Sequence, residues 1–142
     1  MTKQMYPCLW FDGQAKQAAD FYCSIFPDSK ITHDGGMVVS FELNGQPFMG
    51  LNGGDNFKFN EAVSFVIPCK DQEEIDHYWY KLISDGGKEG QCGWCKDKFG
   101  LSWQVVPSIL NELMSDPKKG PHVAKAFMKM KKFDIETLKN AG

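Results

Sequence analysis

Hydrophobic positions along this chain fall into blocks of two alternating periodicities. The run from Tyr6 through Pro7, Cys8, Leu9 and Trp10 to Phe11 has strand composition and ends at Asp12-Gly13, where Asp12 is placed to cap a following helix. Ala15, Ala18, Ala19, Tyr22, Ile25 and Phe26 then recur at the three-and-four spacing of an amphipathic helix, which Pro27-Asp28 stops. A strand is expected near Lys30 to His33. Met37, Val39, Phe41 and Leu43 alternate with Val38, Ser40 and Glu42, and Asn44-Gly45 is a strong hairpin signal before a return strand through Leu51.

After a turn-rich joint from Asn52 to Asn60 the pattern begins again. Ala62 to Cys69 is β-rich, and Asp71 with Glu74 forms an aspartate version of a capping box. Ile75, Tyr78, Trp79, Leu82 and Ile83 form the buried face of the next helix, which Ser84 to Gly87 terminates. Three strand candidates follow: Lys88 to Gln91, Gly93 to Lys96, and Leu101 to Val106 after the Asp97 to Gly100 turn. What repeats between the halves is element order and helix phase, with little identity of residues. The tail from Ser108 to Gly142 reads as two or three helical pieces, broken at Pro107, Asp116-Pro117 and Gly120-Pro121. Its apolar stripe, Val123, Phe127 and Met130, is a packing surface. The fold class is therefore α+β: two strand, helix, three-strand modules (1–52 and 61–107) in one domain of residues 1–142, with a helical tail at 108–142.

Composition narrows the function. With 142 residues, 42% hydrophobic and 24% charged, the chain is the size of one globular domain, and no stretch approaches the ~20 apolar residues of a bilayer-spanning helix. The polar start, Met1 to Tyr6, lacks a secretory pattern. An odd number of cysteines, five, with four in apolar or aromatic surroundings, suits a reducing cytoplasm. Every basic residue is lysine. Without arginine the chain lacks the group best suited to bidentate phosphate clamping and to reading guanine, and the lysines of the tail read as a wet helix face, so neither a nucleic-acid nor a membrane partner is expected.

Two stretches carry a family likeness: Pro7 to Asp12 with the helix Ala18-Ala-Asp-Phe-Tyr22, and Gln91 to Pro107. They resemble the PhnB-like branch of the glyoxalase, bleomycin-resistance and dioxygenase (vicinal oxygen chelate) superfamily, a branch labelled 3-demethylubiquinone-9 3-methyltransferase. The likeness extends over nearly the whole chain, including Asn52-Gly-Gly54 and the tail from Met128 to Ile135. It implies two βαβββ modules whose curved, mainly antiparallel sheet forms a cup, completed by a homodimer partner.

Chelating members of the superfamily hold a divalent metal with His, Glu, His and Glu, one from each of four strands. By the resemblance, Tyr6 and Ser64 stand at the histidine positions, and Met49, or Phe48 if the register shifts by one, and Gln104 at the glutamate positions. Gln104 offers one carbonyl oxygen and the others supply no hard ligand, so no metal is expected. His33, His77 and His122 read as surface or capping groups. The methyltransferase label lacks a glycine-rich strand-to-helix turn for S-adenosylmethionine, since the first such turn is only Asp12-Gly13-Gln14. No cofactor is expected.

Cys92-Gly-Trp-Cys95 has redox or zinc spacing, yet there is no second pair, and on a strand residues three apart face opposite ways. Strand alternation groups Tyr6, Cys8 and Trp10 on one face and Ser102, Gln104 and Val106 on another, with Trp94, Asp97 and Trp103 near them and Trp103 a core filler. The expected ligand site is Tyr6, Cys8, Trp10, Met49, Ser64, Cys92, Trp94, Ser102 and Gln104: aromatic walls with a few polar groups, suited to a planar small molecule. The leading expectation is a metal-independent, dimeric small-molecule-binding domain. The alternative is a lyase, isomerase or group transferase using Gln104, Asp97 and Cys92.

Overall fold

Three alanines on one face of the first helix let it lie close to a sheet, and the sequence around them builds that sheet. The computed structural model describes residues 3–142 and divides into two units, Met1–Phe59 and Asn60–Gly142. In the first, strands β1 (Cys8–Phe11), β2 (Ser29–Asp34), β3 (Val38–Leu43) and β4 (Gln46–Asn52) form a sheet in the order β1-β4-β3-β2. Helix α1 (Ala15–Ile25) crosses between β1 and β2. β1 runs parallel to β4, while β2–β3 and β3–β4 are antiparallel hairpins, as alternating patterns favour. Ala15, Ala18, Ala19, Tyr22 and Ile25 are buried on the helix side with Leu9, Phe11, Val39, Phe41, Leu43 and Phe48. Each larger side chain in that set removes enough apolar surface to contribute about 1.5–3 kcal/mol. Asn44 and Gly45 both have positive φ (50° and 81°), the backbone of a two-residue hairpin turn. Met37, expected in the alternating stripe, lies outside β3 and is 67% exposed.

The cap of α1 differs from expectation. Asp12 takes no part in it; the Ala15 N–H donates to Asn52 Oδ1 at 2.8 Å, and Asn52 Nδ2 donates to the Gly36 carbonyl at 2.8 Å. A residue at the end of β4 thus closes the helix that begins after β1, the strand beside it.

The second unit repeats the order. β5 (Ser64–Cys69), β6 (Lys88–Glu89), β7 (Trp94–Lys96) and β8 (Ser102–Pro107) pair as β5-β8-β7-β6, with β5 parallel to β8 and the others antiparallel. Helix α2 (Gln72–Leu82) is capped by Asp71, whose Oδ1 accepts from the Glu74 N–H at 2.9 Å, while Glu74 Oε1 accepts from the Lys70 N–H. Its buried residues Ile75, Tyr78, Trp79 and Leu82 pack with Ile67, Cys69, Cys95, Trp103 and Val105. The tail forms α3 (Leu110–Ser115), α4 (Gly120–Phe127) and α5 (Ile135–Lys139). Gly120-Pro121 begins α4 rather than breaking the tail, because proline is accommodated in a helix's first turn. Among the described residues no helix is long and apolar enough to cross a membrane.

Candidate functional site

Each sheet gives one face to its helix and presents another set of side chains on the opposite face. In the second unit that set is ordered in rows. Ser64 lies opposite Ser102, Ser102 opposite Lys96, and Lys96 opposite Lys88, so one line across β5, β8, β7 and β6 carries two hydroxyls and two ammoniums. The next row holds Val66, Gln104 and Trp94. Gln104 Nε2 donates to Ser64 Oγ at 2.9 Å, tying the rows together.

At this face lies a concavity of about 580 Å³ lined in part by Glu61, Lys88, Cys92, Trp94, Lys96 and Ser102. The volume is within the range of small-molecule sites. Lys96 Nζ pairs with Glu61 Oε2 at 3.0 Å, and that hydrogen bond holds the Glu61 carboxyl below its usual range. Glu89, at the same concavity, accepts from the Trp79 indole N–H at 3.0 Å, so α2 grips the strand that forms the rim. Ser102 is 1% exposed, and its hydroxyl has no hydrogen-bond partner among the described residues. Buried hydroxyls are normally satisfied, which makes this one an informative exception.

The expected site residues separate into groups. Cys92, Trp94 and Ser102 line the concavity, and Ser64 and Gln104 occupy the same sheet face beside it. Cys8, Trp10 and Met49 belong to the first unit, where Cys8 lies opposite Met49 and its S–H points to the Met49 sulfur at 3.7 Å. Met49 shares that face with Cys8, whereas Phe48 is buried on the helix side. Trp10 donates its indole N–H to the Gly54 carbonyl at 2.8 Å and meets the Phe57 ring edge-on, so it holds the segment that follows β4 within the first unit. Tyr6 precedes β1 and is half exposed.

Two expectations are corrected by local geometry. Asp97 is 3% exposed and organises the β7–β8 turn: Oδ1 accepts from the N–H groups of Phe99 and Leu101 at 2.9 and 3.1 Å, and Oδ2 accepts from the Trp103 indole at 2.9 Å. A carboxylate so engaged, and absent from the concavity's lining, is a scaffold group rather than one available to a bound molecule. Trp103 is a core residue, as expected, and its indole explains the conformation of the turn. Cys92 is not on a strand. It has φ +56° in a turn with Gly93 at φ +82°, and the two N–H groups donate to the carbonyls of Met130 and Lys131 at 2.7 and 2.8 Å. A Cβ at Gly93 would stand 2.4 Å from the Phe133 ring, so glycine is required for the tail to dock. Cys95 is buried on the helix side with its thiol pushed up to about 12 by burial, leaving no thiol pair.

Glu61, Lys88 and Lys96 were not singled out by sequence. Glu61 lies between elements and carries no periodic signal, but the same strand alternation that selected Ser102 also selects Lys96 once β7 is paired with β8.

Two open four-stranded sheets, each the core of a βαβββ unit, the second with a side-chain-lined hollow on the face away from its helix, define the class: a glyoxalase and bleomycin-resistance fold. Residues 3–106 match the family described as 3-demethylubiquinone-9 3-methyltransferase, and the chain belongs to that family, the PhnB-like branch of the superfamily. It is similar to a solved Bacillus cereus protein described as a putative 3-demethylubiquinone-9 3-methyltransferase, PhnB protein. That likeness is 32% in identity, covers 74% of this chain and 99% of that one, and has a TM-score of 0.67. The fold is shared with a fosfomycin resistance protein, FosX, from Listeria monocytogenes, complexed with Mn(II) and sulfate, at 15% identity, coverage of 79% and 94%, and a TM-score of 0.60. It is also shared with a glyoxalase/bleomycin resistance protein from Albidiferax ferrireducens, at 10%, 70% and 93%, and 0.55. No curated protein matches the chain.

Neither group suggested by these likenesses fits the residues present. Of the residues that the resemblance assigns to a chelate set, the first unit offers a tyrosine and a thioether, and in the second Gln104 and Ser64 bond to each other; a hard or borderline cation needs several carboxylate or imidazole ligands. Among the described residues no three His, Cys, Asp or Glu side chains gather as a metal-holding group. A methyl donor such as S-adenosylmethionine is held over a glycine-rich strand-to-helix turn of a parallel sheet, whereas the turn before α1 is only Asp12-Gly13-Gln14.

Proposed function

We propose that this chain is a metal-independent small-molecule-binding protein, cytoplasmic and homodimeric, which holds a planar or otherwise apolar ligand for sequestration or sensing. The observation that carries this reading is the concavity of about 580 Å³ beside Trp94, whose half-buried ring offers a flat wall with hydroxyl and ammonium groups around it. Positions that would hold a metal carry neutral or soft side chains, which supports binding without chelation. Cys92, Trp94, Ser102, Ser64 and Gln104 form the contact set in the second unit; Tyr6, Cys8, Trp10 and Met49 are the candidate contacts of the first unit taken by itself. Membership of the family supports the dimer.

Native mass spectrometry of freshly purified protein, run beside a tryptophan-fluorescence titration with small aromatic compounds, tests the reading. A subunit pair with a stoichiometric organic adduct, and saturable quenching that Trp94→Ala removes, is the expected result. A stoichiometric metal ion, or saturable chemical conversion of the bound compound, would replace this function with an enzymatic one.

A further inference from the structure

The polar groups of the concavity are unequally used. Its two acidic groups already accept protein hydrogen bonds, Glu61 from Lys96 and Glu89 from Trp79. Two of the groups left over are donors: the buried Ser102 hydroxyl, with no partner among the described residues, and Lys88, which has no ion pair among them. Lys88 also faces Lys96 directly across the β6–β7 pair, and since Glu61 already pairs with Lys96, Lys88 is the ammonium of the row with no counter-charge among the described residues. Ser102, Lys96 and Lys88 share one row, so hydroxyl and ammonium donors converge along a single line, and Trp94 stands in the adjacent row on the same face.

We infer that the ligand of this concavity is a small organic carboxylate with a planar apolar body. Its carboxylate lies along the Ser102, Lys96 and Lys88 row, and its apolar body lies against Trp94. The anion supplies what the row lacks: an acceptor for the Ser102 O–H and a counter-charge for Lys88. With Lys96 already paired to Glu61, one unpaired ammonium and a hydroxyl match a singly charged carboxylate better than a multiply charged phosphate. This inference rests on the binding function proposed above and adds the chemical class of its ligand.

Isothermal titration calorimetry on the full chain at pH 7.5 tests it with three probes of one shape: 2-naphthoate, 2-naphthalenemethanol and 2-naphthylmethylamine. Naphthoate is expected to bind at least about tenfold more tightly than the alcohol, and the amine more weakly than either. Lys88→Gln is expected to weaken naphthoate about fivefold while leaving the alcohol unchanged, and Ser102→Ala to weaken naphthoate by about tenfold. Lys88 is exposed and Ser102→Ala nearly isosteric, so both variants keep the fold, which circular dichroism verifies. If the alcohol or amine binds as tightly as naphthoate, or Lys88→Gln leaves naphthoate affinity unchanged, the carboxylate assignment is wrong. Where that happens with binding still dependent on Trp94, the small-molecule function stands alone; absence of binding by all three probes, together with no co-purifying adduct, removes both.

Discussion

Replacing Ser102 by alanine separates stability from function at a single atom. The hydroxyl sits 1% exposed with no partner among the described residues, on a strand held between β5 and β7. An unsatisfied buried hydroxyl costs about 1–3 kcal/mol, from which the small loss of packing on removing one oxygen must be subtracted. The ligand-free Ser102→Ala protein should therefore be more stable by about 1 kcal/mol, a rise in Tm of about 3–5 °C for a chain of this size. Most core truncations go the other way, so the sign alone is diagnostic. Urea unfolding monitored by far-ultraviolet circular dichroism measures it, with the slope of the transition checked for constancy. Saturating 2-naphthoate should stabilise the parent more than the variant, because the parent gains the bond that the variant cannot make. A ligand-free Ser102→Ala protein less stable than the parent by about 1 kcal/mol or more would refute the reasoning, since it would mean the hydroxyl is already satisfied.

Other perturbations test the scaffold. Asp97→Ala leaves the Trp103 indole and two turn N–H groups without their acceptor and should cost about 3 kcal/mol or more in urea unfolding, with Asp97→Asn intermediate. Gly93→Ala drives a methyl group into Phe133 and should cost about 2 kcal/mol, read as a lower thermal midpoint and faster proteolysis of the tail. Burial pushes the Cys69 and Cys95 thiols up to about 12; a raised folded value means their contribution to stability is complete below the ordinary thiol value of 9 and is lost as pH rises from 9 toward 12, so stability should fall over that window. The same two thiols should resist alkylation at pH 8 while Cys8 reacts, a difference peptide mass mapping detects. Manganese(II) or nickel(II) should leave the thermal midpoint unchanged, because the chelate positions supply neutral and soft groups.

Local signals were legible in the sequence, and long-range ones were not. The helix faces, Ala15 to Ile25 and Ile75 to Leu82, follow from a 3.6-residue period that tertiary contacts only reinforce. The Asn44-Gly45 turn and the Asp71 cap are likewise decided within four residues. Asp12 was misassigned because the group that closes α1, Asn52, lies 37 residues beyond the N–H it accepts. The sequence around Cys92 is strand-like, but the left-handed turn that it adopts is held by carbonyls of the tail, which no local pattern announces. Asp97 was recognised as a turn residue, but its partner Trp103 sits across the hairpin, so its structural use was hidden. At the site, alternation groups Ser102 with Gln104 and Val106, and the register implied by the family resemblance turns that face toward the hollow. Lys88 entered only when strand register set it opposite Lys96.

The docking of residues 130–133 onto the Cys92-Gly93 turn has a consequence for how such proteins diverge. The family match ends at residue 106, whereas the carbonyls that pin the rim of the hollow come from more than twenty residues later. Substitutions in this appendage would move the Cys92-Gly93 turn at the edge of the concavity without altering any side chain that lines it.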